Sequence, residues 1–185
     1  TQLTPEWVRK RMSVVGLRMW KELRGEACIG FEQAPVDKKQ IATTRTFAHD
    51  IDDFGELHQS VAQYAAACAE KLRKQNSVCG EIVVFILTNR HKDNIPQHYE
   101  SRLLKLSVPT DSTLELTKYV SLLLRQIFRK GYAYKRTGVI LSDISSKTGT
   151  QRDMFDAADR DKHDRLMKAI DGLNAAYGKP KIVTA

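Results

Sequence analysis

The stretch EIVVFILT at residues 81–88 is short, apolar and rich in β-branched side chains. A run of this length and composition is typical of a buried β-strand. A second β-rich run, RLLKLSV at residues 102–108, follows it and is ended by Pro109. The polar residues 91–96 between the two runs predict a loop. Two consecutive strands are therefore expected in the middle of the chain.

Upstream of these strands the sequence predicts one further strand and one helix. Residues 41–47 (IATTRTF) alternate as a strand does. The apolar spacing from Leu57 to Leu72 predicts a helix of about five turns, and the acidic residues 50–53 can cap it. The alternation places on one face of the strand Ile41, Thr43, Arg45 and Phe47.

Downstream of the central strands the pattern repeats as a helix and then a strand. Ser112 and Glu115 have the spacing of a capping box. Apolar residues then recur at helical spacing as far as Ile127, and Gly131 closes the helix. Residues 138–141 (GVIL) predict the last strand.

The elements follow the order β-α-β-β-α-β over residues 40–145, which is the split-βαβ arrangement. This order predicts an α+β domain, with two helices on one face of a four-stranded antiparallel sheet and the other face open to solvent or a ligand. Residues 1–25 predict one amphipathic helix whose apolar stripe implies packing partners upstream. Residues 26–39 predict a linker, and residues 146–185 a tail with a polar tether and a last helix.

Composition narrows the class of protein. The 185 residues are 42% hydrophobic and 28% charged, with a net charge of +8, which favours an anionic partner. No apolar run approaches the roughly 18 residues of a membrane span, so no membrane association is expected. Three cysteines without a CxxC pair favour a reducing compartment, the cytoplasm. The chain opens on TQLTPEW, without Met, and is expected to be a fragment.

The sequence carries no pattern for catalysis. The five histidines lack metal-ligand spacing, and the P-loop, dinucleotide and nucleophile-elbow motifs do not occur. Asp50, Asp52 and Asp53 could hold a divalent ion, but capping of the next helix is a simpler explanation. We therefore expect no active site, cofactor or metal in this chain.

The open face of the predicted sheet favours a nucleic acid backbone over unpaired bases. RNA-recognition modules stack bases on aromatic side chains of their central strands, whereas the strand from Arg102 to Leu106 has no aromatic residue. Arg102 and Lys105 suit phosphate contacts instead. A face with threonine and arginine but without rings predicts a surface that follows a duplex backbone.

Five segments form a further pattern: WVRKRMSVV at residues 7–15 with ELRGE at 22–26, TTRTF at 43–47, KRTGV at 135–139, QRDMF at 151–155 and LMKAIDGLNAAYG at 166–178. In this order they resemble the C-terminal part of UmuC-type Y-family translesion DNA polymerases. The matching parts are the end of the thumb, the first and last strands of the little finger, the clamp-binding peptide and the C-terminal region. Arg152 and Met154 depart from the family's clamp peptide, which usually has leucine at both positions.

The resemblance implies the DNA- and clamp-binding part of an error-prone polymerase of the SOS response to DNA damage. The family's palm, which holds magnesium on carboxylates, would lie upstream, so this chain is expected to be non-catalytic and only the intact polymerase to use magnesium. The implied partners are primer-template DNA, the bacterial sliding clamp, a UmuD-type regulatory subunit and RecA. The implied clamp contacts are Gln151, Met154 and Phe155. The DNA contacts expected on the open face are Thr43, Arg45, Arg102, Lys105, Lys135 and Arg136.

Two other functions stay open at this point. A free-standing nucleic-acid-binding module of ferredoxin-like topology would share the same elements, but such a module has no reason to begin with an apolar helix stripe that lacks a partner. A small ferredoxin-like hydrolase would need a paired nucleophile and base, and the sequence shows no such pair.

Overall fold

The computed structural model describes residues 3–30, 37–148, 159–178 and 182. The chain forms two compact units, Thr1–Val36 and Asp37–Ala185. The boundary between them falls inside the segment predicted as a linker, residues 26–39.

The first unit contains helix α1, Pro5–Glu22. Its N-cap is Thr4, whose hydroxyl accepts a hydrogen bond from the Trp7 amide at 3.3 Å. The prediction of one uninterrupted helix is wrong, because Ser13 has non-helical dihedrals, φ 61° and ψ −171°. A break of this kind redirects the helix axis, so the predicted apolar stripe is not one continuous face. Val8 is buried, and the remaining stripe residues are exposed: Met12, Val15, Met19 and Leu23.

In its described residues, the second unit contains four strands and three helices. They are β1 (Ile41–Ile51), α2 (Phe54–Lys74), β2 (Ser77–Thr88), β3 (Tyr99–Thr110), α3 (Thr113–Ile127), β4 (Tyr134–Ser146) and α4 (Arg160–Ala176). The strands form one antiparallel sheet in the order β1-β4-β2-β3. Each βαβ pair is therefore split by a strand of the other pair, and the predicted α+β, split-βαβ fold class is confirmed.

The strands extend beyond their predicted bounds. The largest addition is to β4, which grows at both ends, and β3 continues through Pro109 to Thr110. Because β3 is an edge strand, the missing N–H of Pro109 need not cost a ladder hydrogen bond. The expectation that this proline ends the strand is therefore wrong, and the strand ends two residues later than predicted.

The core lies between the sheet and the two helices α2 and α3. On β2, alternate residues Ile82, Val84 and Ile86 are fully buried in it. The residues between them are only half-buried, so β2 is covered on one face and not on both. The strand predicted from the apolar run at residues 81–88 is therefore confirmed, but the prediction that the whole strand is buried is wrong.

The helix caps follow the prediction at α2 and depart from it at α3. Asp53 accepts a hydrogen bond from the Glu56 amide at 2.8 Å, which confirms the acidic cap. Ser112 is the N-cap residue of α3 but makes no side-chain cap bond. Its hydroxyl instead contacts His163 Nδ1 at 3.2 Å, and Glu115 lies 3.4 Å from the same nitrogen. The predicted capping box is replaced by contacts to α4.

Helix α4 is docked on the domain mainly by charged side chains. Arg73 binds Asp171 through two hydrogen bonds of 2.6 and 2.8 Å, and Met167 is buried beneath the helix. Lys147 donates to Asp111 and Asp164, at 2.7 Å each. Burial opposes the charge on Lys147, but these two hydrogen bonds outweigh it and raise the pKa of the amine. The predicted tether therefore begins inside ordered structure.

Gly138 on β4 lies beneath side chains from both neighbouring strands. A Cβ at this position would collide with the methyl group of Thr44 and the ring of Phe85. Gly138→Ala is expected to lower the free energy of unfolding by about 1–3 kcal/mol, since overpacking forces neighbours out of position. Urea denaturation measures the loss.

Gly172 in α4 offers a matched control for that substitution. A Cβ there would meet no atom within 4 Å, so Gly172→Ala is expected to be neutral or to stabilise the helix by about 0.5–1 kcal/mol. Equal stability of Gly138→Ala and the parent chain would contradict the close approach on the sheet.

Candidate nucleic-acid interface

The sheet surface opposite α2 and α3, here called the open face, is organised in four rows that run across the strands. Paired residues in an antiparallel sheet point to the same side, so the register assigns each side chain to a face. The rows are Thr46–Arg136–Leu87–Tyr99, Thr44–Gly138–Phe85–Ser101, Ala42–Ile140–Val83–Leu103 and Ser142–Glu81–Lys105.

Two of the six predicted DNA contacts lie on the open face. Arg136 is exposed, and its guanidinium donates to Thr44 Oγ1 at 3.1 Å, which orients the charge over the face. Lys105 is exposed at the opposite end of the sheet, in the row of Glu81. These two cations can each contact a phosphate of a strand that crosses the sheet.

The predicted placement of Thr43, Arg45 and Arg102 on the open face is wrong. The register pairs them with Val139, Thr137 and Val84, whose side chains are buried on the helix side. The prediction that Thr43 and Arg45 share one face of β1 with Ile41 is correct. Because Ile41 is buried in the core, that face is the one that the helices cover. Contacts to α2 agree, since Cys68 Sγ and Lys71 Nζ donate to Thr43 Oγ1 at 3.2 and 3.4 Å.

Lys135 lies against an acidic neighbour and not over the sheet. Its amine donates to the Ala48 carbonyl at 3.0 Å and lies 3.6 Å from Asp50. Lys92 also binds Asp50, at 2.8 Å. The hydrogen bond from Lys92 is the main cause of a lowered pKa at Asp50, and its effect outweighs burial. The Asp50 carboxylate therefore offsets part of the Lys135 charge.

Comparison with known proteins places the domain in a family. The model of the impB/mucB/samB family C-terminal domain matches residues 38–154. The chain belongs to this family. Protein ImpB of Salmonella typhimurium is 35% identical over 182 residues, which cover 98% of this chain and 43% of that protein.

Other impB/mucB/samB relatives show similar coverage. Protein UmuC of Salmonella typhimurium is 35% identical over 173 residues, 93% of this chain and 41% of that protein. The chain thus spans less than half the length of both curated relatives. The solved insertion ternary complex of Dbh DNA polymerase aligns with a TM-score of 0.47 at 17% identity, covering 78% of this chain and 39% of that chain.

Sequence reasoning missed two aromatic side chains on the open face of this family member and an arginine beside one of them. Phe85 is half-buried on the central strand β2, and Tyr99 is exposed on β3. The guanidinium of Arg90 lies 5.4 Å from the centre of the Tyr99 ring, which is cation–π distance. The prediction of a face without aromatic rings is therefore wrong, because half of the run 81–88 points outward.

The described residues hold no cluster suited to a metal ion, and two of their three thiols, Cys68 and Cys79, are buried. Among them, no group of three or more His, Cys, Asp or Glu side chains is placed to hold a metal ion. Burial raises the pKa of Cys68, and that of Cys79 to about 12, so both thiols stay protonated near neutral pH. In the same described residues, no helix combines the length and the hydropathy that crossing a membrane requires.

The predicted clamp contacts Gln151, Met154 and Phe155 lie outside the described residues. They fall between Lys147, which is bound to Asp111 and Asp164, and α4, which begins at Arg160. Their role stays a prediction.

Proposed function

We propose that this chain is the DNA-binding and sliding-clamp-binding part of an error-prone translesion DNA polymerase that acts in the SOS response in the cytoplasm. Membership of the impB/mucB/samB family and similarity to UmuC support the class of protein. The observation that carries DNA binding is Arg136, an exposed cation oriented by Thr44 on an inner strand of an uncovered sheet face. Duplex phosphates are the anions that such a surface fits.

Clamp binding is the second part of the proposal and rests on the sequence QRDMF at residues 151–155. Met154 and Phe155 supply the apolar anchors for a hydrophobic groove, and Gln151 supplies an oriented amide. A UmuD-type subunit and RecA are further proposed partners of the intact protein.

Catalysis is not assigned to these residues. A polymerase of this class uses magnesium held by carboxylates, and the described part of this chain has no side-chain cluster that fits such an ion. The magnesium of the intact polymerase is therefore proposed to lie outside this chain.

The register provides a matched pair for testing the DNA interface. Arg136 and Arg45 are both exposed and lie on adjacent strands, one residue apart in the pairing register. The two arginines nevertheless point to opposite faces of the sheet. Arg136→Gln is expected to weaken duplex binding and to reduce the slope of log K against log salt by about 0.9, the value for one phosphate contact. Arg45→Gln is expected to leave the slope unchanged. Fluorescence anisotropy with a labelled duplex at several salt concentrations measures both.

The opposite result would reject the open face. If Arg45→Gln reduces the slope and Arg136→Gln does not, the duplex lies on the helix side of β1. If both variants match the parent chain, neither face of β1 and β4 contacts phosphate, and binding belongs to another basic region.

A further inference from the structure

The open face is more apolar than a surface for phosphates alone requires. Leu103 and Tyr99 on the edge strand β3 are 58% and 55% exposed, and they belong to the rows of Val83 and Leu87 on the open face. Val83, Phe85 and Leu87 on β2 continue this apolar area and are half-buried. Phosphate oxygens gain nothing from such side chains, so the β2–β3 half of the face calls for a second kind of contact.

Tyr99 has the surroundings of a ring that stacks on a base. The guanidinium of Arg90 lies at cation–π distance from the Tyr99 ring. The other ring on the open face, Phe85, packs against Gly138 and is half-buried, so Tyr99 is the more accessible of the two rings. A recess of about 300 Å³ adjoins it, lined also by Thr88, Gln97 and His98. Exposed rings flanked by arginine bind single-stranded nucleic acid, because every unpaired base offers a π-face.

The register also relates this ring to the proposed phosphate contact. Tyr99, Leu87 and Arg136 form one row across β3, β2 and β4. Two strand spacings, about 10 Å, separate Tyr99 from Arg136, and Lys105 lies on the same face two rows beyond Ser101. A duplex hides the faces of its bases, whereas an unpaired strand presents bases and phosphates to the same surface.

We infer that Tyr99, supported by Arg90, stacks on an unpaired nucleotide of the DNA while Arg136 binds a phosphate of the same strand. This inference rests on the proposed DNA binding and specifies which part of a primer-template reaches the β3 edge. The open face then distinguishes paired from unpaired DNA, a property that phosphate contacts alone do not confer.

The test compares two ligands and two substitutions in the full chain. Tyr99→Leu removes the ring but keeps an apolar side chain, and Tyr99→Phe keeps the ring. Tyr99→Leu is expected to weaken binding to an oligothymidylate of about 12 nucleotides roughly tenfold, the loss of one stacked base. Binding to a blunt duplex is expected to change less than about twofold, and Tyr99→Phe to match the parent on both ligands.

A spectroscopic readout reports stacking directly. An oligonucleotide with one 2-aminopurine is expected to lose fluorescence on binding the parent chain and Tyr99→Phe, and to keep it with Tyr99→Leu, because ring stacking quenches the base. Thermal melting confirms that the variants fold, as expected for a side chain that is largely exposed.

Each contrary outcome has a distinct meaning. Equal losses on both ligands, or unchanged oligothymidylate binding in Tyr99→Leu, would overturn the stacking role while duplex binding stands. Absence of binding to either ligand by the parent chain would overturn this inference together with the proposed function. A dimer of the DNA-free chain in sedimentation, converted to monomer by Leu103→Glu, would assign the apolar area to a second copy instead.

Discussion

Replacing Met154 and Phe155 together with alanine is expected to abolish retention of the chain by a bacterial sliding clamp. A short peptide places most of its binding energy in a few apolar anchors, and truncation of one anchor costs about 2 kcal/mol or more. A micromolar contact amounts to about 8 kcal/mol, so the loss of both anchors takes it to about millimolar or weaker, where a pull-down retains nothing. The measurement is clamp retention by immobilised parent and double-variant chains.

Asp153 provides the matched control, since it lies between Arg152 and the anchors in the same pentapeptide. Asp153→Ala is expected to keep clamp retention, and duplex binding is expected to be unchanged in every one of these variants, because Arg136 lies on the sheet. Retention of the double variant at the parent level would show that residues 151–155 only connect β4 to α4.

The fold was predictable because its signals are local and repeated. Apolar spacing of 3.6 residues marks α2 and α3, and β-branched runs mark the strands. The cap at Asp53 needed only residues within one turn. The order of the elements then left few arrangements for a sheet with two helices on one side.

The site was only partly predictable, because successive residues of a strand point to opposite faces of the sheet. An error of one position in the assignment therefore moves a side chain from one face to the other. Thr43 and Arg45 lie one position away from Thr44 and Thr46, yet the first pair faces α2 and the second faces solvent. Ile41 indicated which face of β1 is covered, because a buried residue on the same face as Thr43 and Arg45 places that face against the core. On β2 the residues of the open face are apolar like those of the core face. The sequence therefore lacks the apolar-polar alternation that would have shown that Phe85 points outward.

The docking of α4 was beyond sequence reasoning because it depends on pairs far apart in the chain. Arg73 and Asp171 are 98 positions apart. Ser112 and Glu115 have the spacing of a local helix cap, but in the structure both contact His163, which lies far along the chain. Charged residues on an amphipathic helix are ordinarily assigned to solvent. Here several of them form the contact surface, while Leu166 and Leu173 on the same helix are exposed.

Arg73→Met is expected to cause a large loss of stability, about 2–4 kcal/mol, and to release α4. The Arg73 side chain is only 12% exposed and Asp171 31%, so the pair is partly withdrawn from solvent. The same guanidinium donates to the Asp111 carbonyl at 2.8 Å and to Thr113 Oγ1 at 3.0 Å. Its removal leaves a carboxylate and two further acceptors without this donor, which costs more than the net worth of one ion pair.

Urea denaturation and amide hydrogen exchange over α4 measure the two effects, and the adjacent residue supplies the control. Lys74 pairs with Glu70 at 2.6 Å, but both side chains are exposed, so Lys74→Met is expected to cost less than about 0.5 kcal/mol. Adding Asp171→Asn to Arg73→Met is expected to recover part of the loss, since the uncompensated carboxylate is then removed. If Arg73→Met costs no more than Lys74→Met and α4 keeps its protection, the helix is held by Met167 and its other contacts, and the Arg73 pair contributes little.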